Sequence, residues 1–226
     1  MNLKIYTVSG APRGWRALLG MAFKGLDYEV KYLEASKGEH KASDFLAINP
    51  RGTVPVLEVD GVLIRDSLAI LAWLDHQYPQ HPLFGNTPEI AANIWQITTE
   101  CNDYLRAAIN DVFTPILVLG ETLPESGTEK REELDAAVER LHKECRYLNN
   151  LLNDNCCFGS ASPSAADAII FPEISLVHRA IEKKHHHMEE IGLASFDKDY
   201  PQIEIWRNHI AAQEGVLKTM PIHWVT

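Results

Sequence analysis

The chain has 226 residues, of which 21 are basic and 31 acidic, giving a formal net charge of −10 with histidines neutral. A hydrophobic fraction of 46% beside 23% charged residues supports a buried core and excludes disordered or collagen-like material. A field of that sign repels phosphate backbones and anionic lipid, so no nucleic-acid or membrane partner is expected.

The apolar run Ala17 to Phe23, like every other, falls well short of the roughly 20 residues that a bilayer span needs. The N-terminal residues Asn2 to Val8 alternate like a strand and do not read as a signal peptide. Cys101, Cys145, Cys156 and Cys157 show neither the density of a disulfide scaffold nor a C-x-x-C pair, so a reduced, cytoplasmic setting is expected.

In chain order, Leu3 to Val8 predicts a strand, Trp15 to Lys24 an apolar helix closed by Gly25, and Tyr28 to Leu33 a second strand, which together make a βαβ unit. A polar loop, Glu34 to Lys41, and a short helix ending near Ile48 follow. Val54 to Val59, then Asp60-Gly61, then Val62 to Ile64 reads as a hairpin with an Asp-Gly turn. A helix starts at Ser67 with an apolar face too broad for a surface element. Tyr78-Pro79-Gln80-His81-Pro82 breaks helix continuation and is placed as the domain boundary, after a first domain of residues 1–80. Residues 88–226 are expected to be all-helical, with helices over Pro88 to about Leu119, Thr128 to Asn153, Ser164 to Lys184 and Tyr200 to Gln213.

Two stretches flanking the hairpin carry the chemistry. Val54-Pro55 opens a strand at an edge or turn, where a missing N–H is tolerated and the Val54 backbone is free to pair with a bound peptide. Its peptide bond is a candidate for the cis form, although the general rarity of cis proline favours an ordinary turn. Asp66-Ser67 combines an acid with a helix start, Ser67 being the expected N-cap, and this suits a zwitterion: ammonium on Asp66, carboxylate on Ser67. Ser164-x-x-Asp167 reads as a capping box, which makes Asp167 structural. Three consecutive histidines, His185 to His187, point in different directions on a helix, and no metal site is expected there. Cys156 and Cys157 are expected as apolar fillers.

Asn49-Pro50-x-Gly52-x-Val54-Pro55-x-Leu57, the acid-Ser-x-Ala-Ile run from Asp66 to Ile70, and Ser164-Ala165-Ala166-Asp167 resemble the motifs of the cytosolic glutathione S-transferases. The resemblance spans essentially the whole chain. It implies a thioredoxin-like α/β N-terminal domain (βαβ-ββα), an all-helical C-terminal domain forming an electrophile pocket, and a homodimer active in detoxification. It further implies that Val54 pairs through its backbone with the cysteinyl unit of glutathione, that Asp66 and Ser67 hold its γ-glutamyl end, and that His40 and, more loosely, Thr53 and Pro55 complete the tripeptide site. Glutathione is then a substrate, with no separate cofactor or metal.

The thiol must be ionised, and Ala11 stands where many relatives carry a serine. Ser9 is the first choice for that role, with Tyr6 or Thr7 in reserve. Arg13 and Arg16 are either electrostatic helpers or partners of a carboxylate. Tyr104 and Arg106 are placed in the electrophile pocket. The absence of any cysteine before Cys101 argues against mixed-disulfide chemistry at this loop. Isomerisation or peroxide reduction by the same tripeptide site, and a non-catalytic binding module, stand as alternatives.

Overall fold

The computed structural model describes residues 1–153 and 155–224. Strand β1 (Leu3–Thr7) leads through helix α1 (Pro12–Phe23) to strand β2 (Glu29–Tyr32), and the two strands pair in parallel from Lys4 opposite Glu29 to Thr7 opposite Tyr32. A parallel pair needs a crossover connection, and α1 supplies it. Helix α2 (Ser43–Ile48) precedes a hairpin of β3 (Val56–Val59) and β4 (Val62–Arg65). At its turn Asp60 and Gly61 have φ of 46° and 89°, the pair of positive values that a two-residue hairpin loop requires. The sheet order is β2-β1-β3-β4, with β1 antiparallel to β3.

Alternation along β1 sorts the layers. Leu3, Ile5 and Thr7 are buried, and the first two join the core shared with α1 and helix α3 (Ser67–Gln77). Tyr6 and Val8 instead meet Leu33, Phe45 and Val56 beneath α2. Gly14 has the Thr7 side chain where a Cβ would stand, so only a glycine lets α1 lie this close to β1.

After α3 and the connection from Tyr78 to Thr87, every element is helical. Helix α4 (Pro88–Glu100), a π-helical turn at Cys101–Leu105, α5 (Arg106–Phe113) and a second π-helical turn at Thr114–Val118 form one run. Then come α6 (Glu129–Leu152), α7 (Ala165–Lys183), α8 (His185–Glu190), α9 (Phe196–Asp199), α10 (Pro201–Ala211) and two 3-10 turns, Val216–Thr219 and Ile222–Trp224. Helix α7 is buried from Ala165 to Ser175 and packs on α1. Its capping box is present: Ser164 Oγ accepts from the backbone N–H of Ala166 and Asp167, and Asp167 Oδ2 accepts from Ser164 N–H at 2.7 Å. Asp167 Oδ1 also takes Trp206 Nε1–H at 2.7 Å and Phe158 N–H at 3.0 Å, which ties α10 and the preceding loop to the same carboxylate.

Polar bridges join α1 and its C-cap Lys24 to their surroundings. Trp15 Nε1 donates to Thr219 Oγ1 at 2.8 Å, Arg16 pairs with Glu173 on α7 at 2.7 Å, and Lys24 pairs with Asp75 on α3 at 2.8 Å.

Several predicted boundaries shift. Helix α1 begins at Pro12, three residues before the apolar run, because proline is preorganised for a first turn that has no use for its N–H. Glu34 to Lys41 is not irregular throughout but holds 3-10 turns at Ala35–Lys37 and Glu39–Lys41, hinged on Gly38 at φ 68°. His185 to His187 open a separate helix, α8, since Lys184 leaves helical geometry with ψ 39°.

Candidate active site

The strand register brings three connections to one end of the sheet. Tyr6 faces Val56 and Val56 faces Arg65, so β1 runs out into Val8 to Ala11, β3 is entered from Thr53 to Pro55, and β4 leaves into Asp66 and Ser67 at the same edge.

The middle connection is held rigid. Asn49, almost fully buried, donates from Nδ2 to the Thr53 carbonyl at 2.7 Å and to Thr53 Oγ1 at 3.2 Å, while its Oδ1 accepts from Arg51 N–H. Gly52, at φ 59°, lies against the His40 carbonyl and the Lys41 side chain, which brings the second 3-10 turn beside this loop. The Val54–Pro55 peptide is cis, so the expected ordinary turn proline gives way to the rarer form. Pro55 is buried, Val54 half-buried and Thr53 exposed. Among the described residues no hydrogen bond uses the N–H or C=O of Val54. Val54 lies in a bend just ahead of β3, and a backbone with both groups open at a sheet end can pair with one more extended peptide.

Beside it, Asp66 and not Ser67 is the N-cap of α3. Asp66 has φ 76° and its Oδ1 accepts from Leu68 N–H at 2.8 Å, so the carboxylate bends back onto the first turn and Ser67 becomes the first helical residue. Ser67 is buried, while Asp66 stays exposed, leaving Oδ2 without a described partner. One anionic oxygen and one helix start therefore stand side by side.

Of the three candidate hydroxyls on the β1 side, two are committed. Tyr6 donates to Glu58 at 2.7 Å, and burial followed by that bond pushes its pKa above the usual phenol value. Thr7 is buried beneath Gly14, with Oγ1 3.5 Å from the Val8 carbonyl. Ser9 is half-buried, and its Oγ accepts from Ile222 N–H at 3.2 Å, which leaves its own proton free to donate. The N-cap of α1 is Ala11, which offers no side-chain acceptor to the first turn.

Sequence reasoning missed the chain end that meets this loop. The His223 ring lies over Gly10, and Trp224 packs edge-on against Trp15 at 5.4 Å under the Arg179 guanidinium. Nothing in the local pattern of Pro221 to Trp224 signals a contact with residues more than two hundred positions away. Asn49 was legible as part of a motif but not as the clamp on Thr53.

The arginines separate. Arg13 is exposed, whereas Arg16 is fully buried and bonds Glu173 and Asn102 Oδ1, with burial lowering its pKa against the pull of Glu173. Arg106 joins the same Glu173 oxygen at 2.7 Å, which ties this residue of α5 to α1 through one carboxylate. Tyr104 is 63% exposed on the π-helical turn, and Ile109 is core. His40 is half-buried with Nδ1 unpartnered. A cavity of about 880 Å³ opens at the other end of α1, between Phe23 to Asp27, His81 and Ser160 to Pro163, and none of the predicted site residues lines it.

Residues 11–77 match the family model for the glutathione S-transferase N-terminal domain. The chain is 27% identical to glutathione S-transferase Z2 of Arabidopsis thaliana over 94% of its own length and 92% of that protein. It is 38% identical to a maleylacetoacetate isomerase of Pseudomonas aeruginosa over 38% of its own length and 42% of that enzyme. Such partial matches span about two fifths of the length of several curated relatives. Among solved structures, a glutathione S-transferase of the Antarctic clam Laternula elliptica superposes with a TM-score of 0.81 at 25% identity, covering 100% of this chain and 94% of that one.

Proposed function

We propose, on the family-model match over residues 11–77 and the full-length similarity to glutathione S-transferases, that the chain is an enzyme of that family, binding glutathione along the open Val54 backbone and transferring the glutathione thiolate to a small electrophilic carbon. The observation that carries the proposal is the unpaired Val54 backbone at the sheet end, flanked by the Asp66 carboxylate and the start of α3. The cysteinyl unit pairs with Val54. The α-ammonium meets Asp66 and the α-carboxylate meets the Ser67 end of α3, both as charge-assisted contacts. His40, beside the Asn49 to Thr53 loop, is the polar group for the glycyl end.

In this pose the cysteinyl side chain faces the Ser9 loop and the uncapped start of α1. A free cysteine thiol has a pKa near 8.5, and the thiolate is the nucleophile. The thiol proton leaves to solvent, and Ser9 Oγ–H and the first-turn N–H groups of α1 hold the resulting anion. Sulfur then attacks the carbon, forming the C–S bond as the bond to the leaving group, halide in an aryl halide, breaks and its electrons leave with it. The protein lowers the cost of ionisation and holds the two reactants together.

A second reading is glutathione-dependent isomerisation, favoured by the match to the Pseudomonas aeruginosa isomerase. The same thiolate then adds to an unsaturated substrate and leaves again. Calorimetry with glutathione, followed by assays with a generic aryl halide and with an activated cis-alkene, tests the reading. Association and a thioether product support it. Association with a cis-trans isomerised substrate and no thioether selects the second reading, and no association at millimolar glutathione removes both.

A further inference from the structure

The loop between α6 and α7 presents two adjacent cysteines that play no part in the tripeptide site. Sγ of Cys156, Sγ of Cys157 and one imidazole nitrogen of His209 on α10 lie within 4.8 Å of one another. All four cysteines of the chain are free thiols. Tetrahedral zinc bonds of about 2.3 Å to sulfur and about 2.0–2.1 Å to imidazole put ligand atoms roughly 3.5–3.8 Å apart, so rotation about the side-chain bonds closes the remaining distance.

We propose that Cys156, Cys157 and His209 form a binding site for a thiophilic divalent cation, of the zinc or cadmium class, with a fourth position open to solvent beside Cys156.

The surroundings favour that occupant. Cys156 is exposed, with its Sγ 3.6 Å from the Ala161 carbonyl, so it is not part of the core. Cys157 is buried next to it. Gln213, one turn along from His209, donates from Nε2 to His209 Nε2 at 3.1 Å and to the His209 carbonyl at 3.3 Å, which leaves His209 Nδ1 as the ring nitrogen not engaged by Gln213. The other grouping of this kind, His178, Asp197 and Glu204, is already engaged, since Glu204 is gripped by Arg207 and Asn208. Binding converts both thiols to thiolates and releases two protons to the buffer, so that two negative sulfurs balance the dication, with no change of oxidation state.

A bound cation would fasten the α6–α7 loop to α10. Neither element carries a residue of the tripeptide site, so the inference stands or falls apart from the proposed catalysis.

The test uses the full chain, stripped with a chelator, reduced with a phosphine and free of glutathione. Titration with cadmium is expected to raise the ultraviolet thiolate-to-cadmium charge-transfer band to saturation at one cation per chain. X-ray absorption of the zinc form is expected to show two sulfurs and one imidazole nitrogen. Cys156→Ser and His209→Gln, both chosen to spare buried Cys157, are each expected to weaken cadmium binding by at least about tenfold while leaving the melting temperature of the chelator-treated protein unchanged. No thiolate band at stoichiometric cadmium, a zinc shell lacking sulfur, or equal affinity in both variants overturns the proposal. Should a variant fail to fold, the band and the zinc shell of the unaltered protein decide alone.

Discussion

Replacing Ser9 by alanine removes the one hydroxyl at the β1 end of the site whose proton is uncommitted. Tyr6 gives its proton to Glu58, and Thr7 is sealed under α1, so neither substitutes. A hydrogen bond to a charged acceptor contributes about 1.5–3 kcal/mol, and one pKa unit corresponds to 1.36 kcal/mol, so the bound thiol should rise by about one to two units. At acidic to neutral pH, where thiolate is the minor species, kcat/KM should then fall by about 10- to 100-fold, and the loss should shrink as pH rises past the new pKa. The assay is the pH profile of kcat/KM with an aryl halide, paired with the thiolate absorbance of bound glutathione. Ser9 also anchors Ile222 N–H, so a control must separate the hydroxyl from the chain end. Ile222→Pro removes that donor and leaves the Ser9 proton in place. A Ser9→Ala profile superimposed on the unaltered one refutes the assignment, and so does an Ile222→Pro profile displaced by the same amount.

Asp66→Gly suits the φ of 76° at that position and replaces a capping aspartate by the next-best cap, which costs only a few tenths of a kcal/mol. Unchanged melting with glutathione affinity weakened by about tenfold or more is expected from calorimetry, and retained affinity would take the ammonium away from Asp66. Glu173→Gln leaves Arg16, with a fully buried side chain, facing a neutral group, and a loss of about 3–5 kcal/mol is expected in urea unfolding. Replacing the whole triad, Arg16→Met with Arg106→Leu and Glu173→Leu, should recover most of that loss; no recovery would show that packing and not charge is at stake. Burial pushes the Asp167 carboxyl up to about 6 from its ordinary 3.8, against the pull of its N–H donors. The native state therefore holds this proton more tightly than the unfolded chain. The corresponding stability, about 3 kcal/mol, is fully present below about pH 4 and is lost as pH rises through about 6. Asp167→Asn should flatten the urea-derived stability curve across that window relative to the parent. It should also cost about 1–3 kcal/mol in its own right, since its amide turns an N–H toward the Ser164, Phe158 or Trp206 donors; parallel curves would contradict the shift.

Local signals carried most of the architecture. The alternation of Leu3 to Val8, the Asp60-Gly61 turn and the Ser164 to Asp167 box each depend on neighbours within a few residues, and each stands in the structure where the sequence placed it. The π-helical turns at Cys101–Leu105 and Thr114–Val118 were not legible, because one extra residue per turn leaves an apolar periodicity almost intact. Ser67 was taken for the cap because serine and aspartate are nearly equal caps; the choice between them was made by Asp66 adopting positive φ where β4 turns into α3. Reading Arg16 as helper or ion-pair partner left two answers open, and the partner that decides it, Glu173, lies 157 residues away.

The pairs that long-range folding settled are also those that define what the site can do. Arg16 is neutralised inside the core by a carboxylate that it shares with Arg106, so its charge is spent on joining α1 to α7 and α5. The uncapped first turn of α1 and Ser9 remain as donors at the thiol end. The chain end reaches the same spot, with His223 over Gly10 and Trp224 against Trp15. On the proposed reading, an anion placed there meets backbone dipoles and one hydroxyl and not the guanidinium of Arg16, which is committed to Glu173. The effect of Ser9→Ala should therefore be insensitive to ionic strength, whereas stabilisation by exposed Arg13 would fade with added salt.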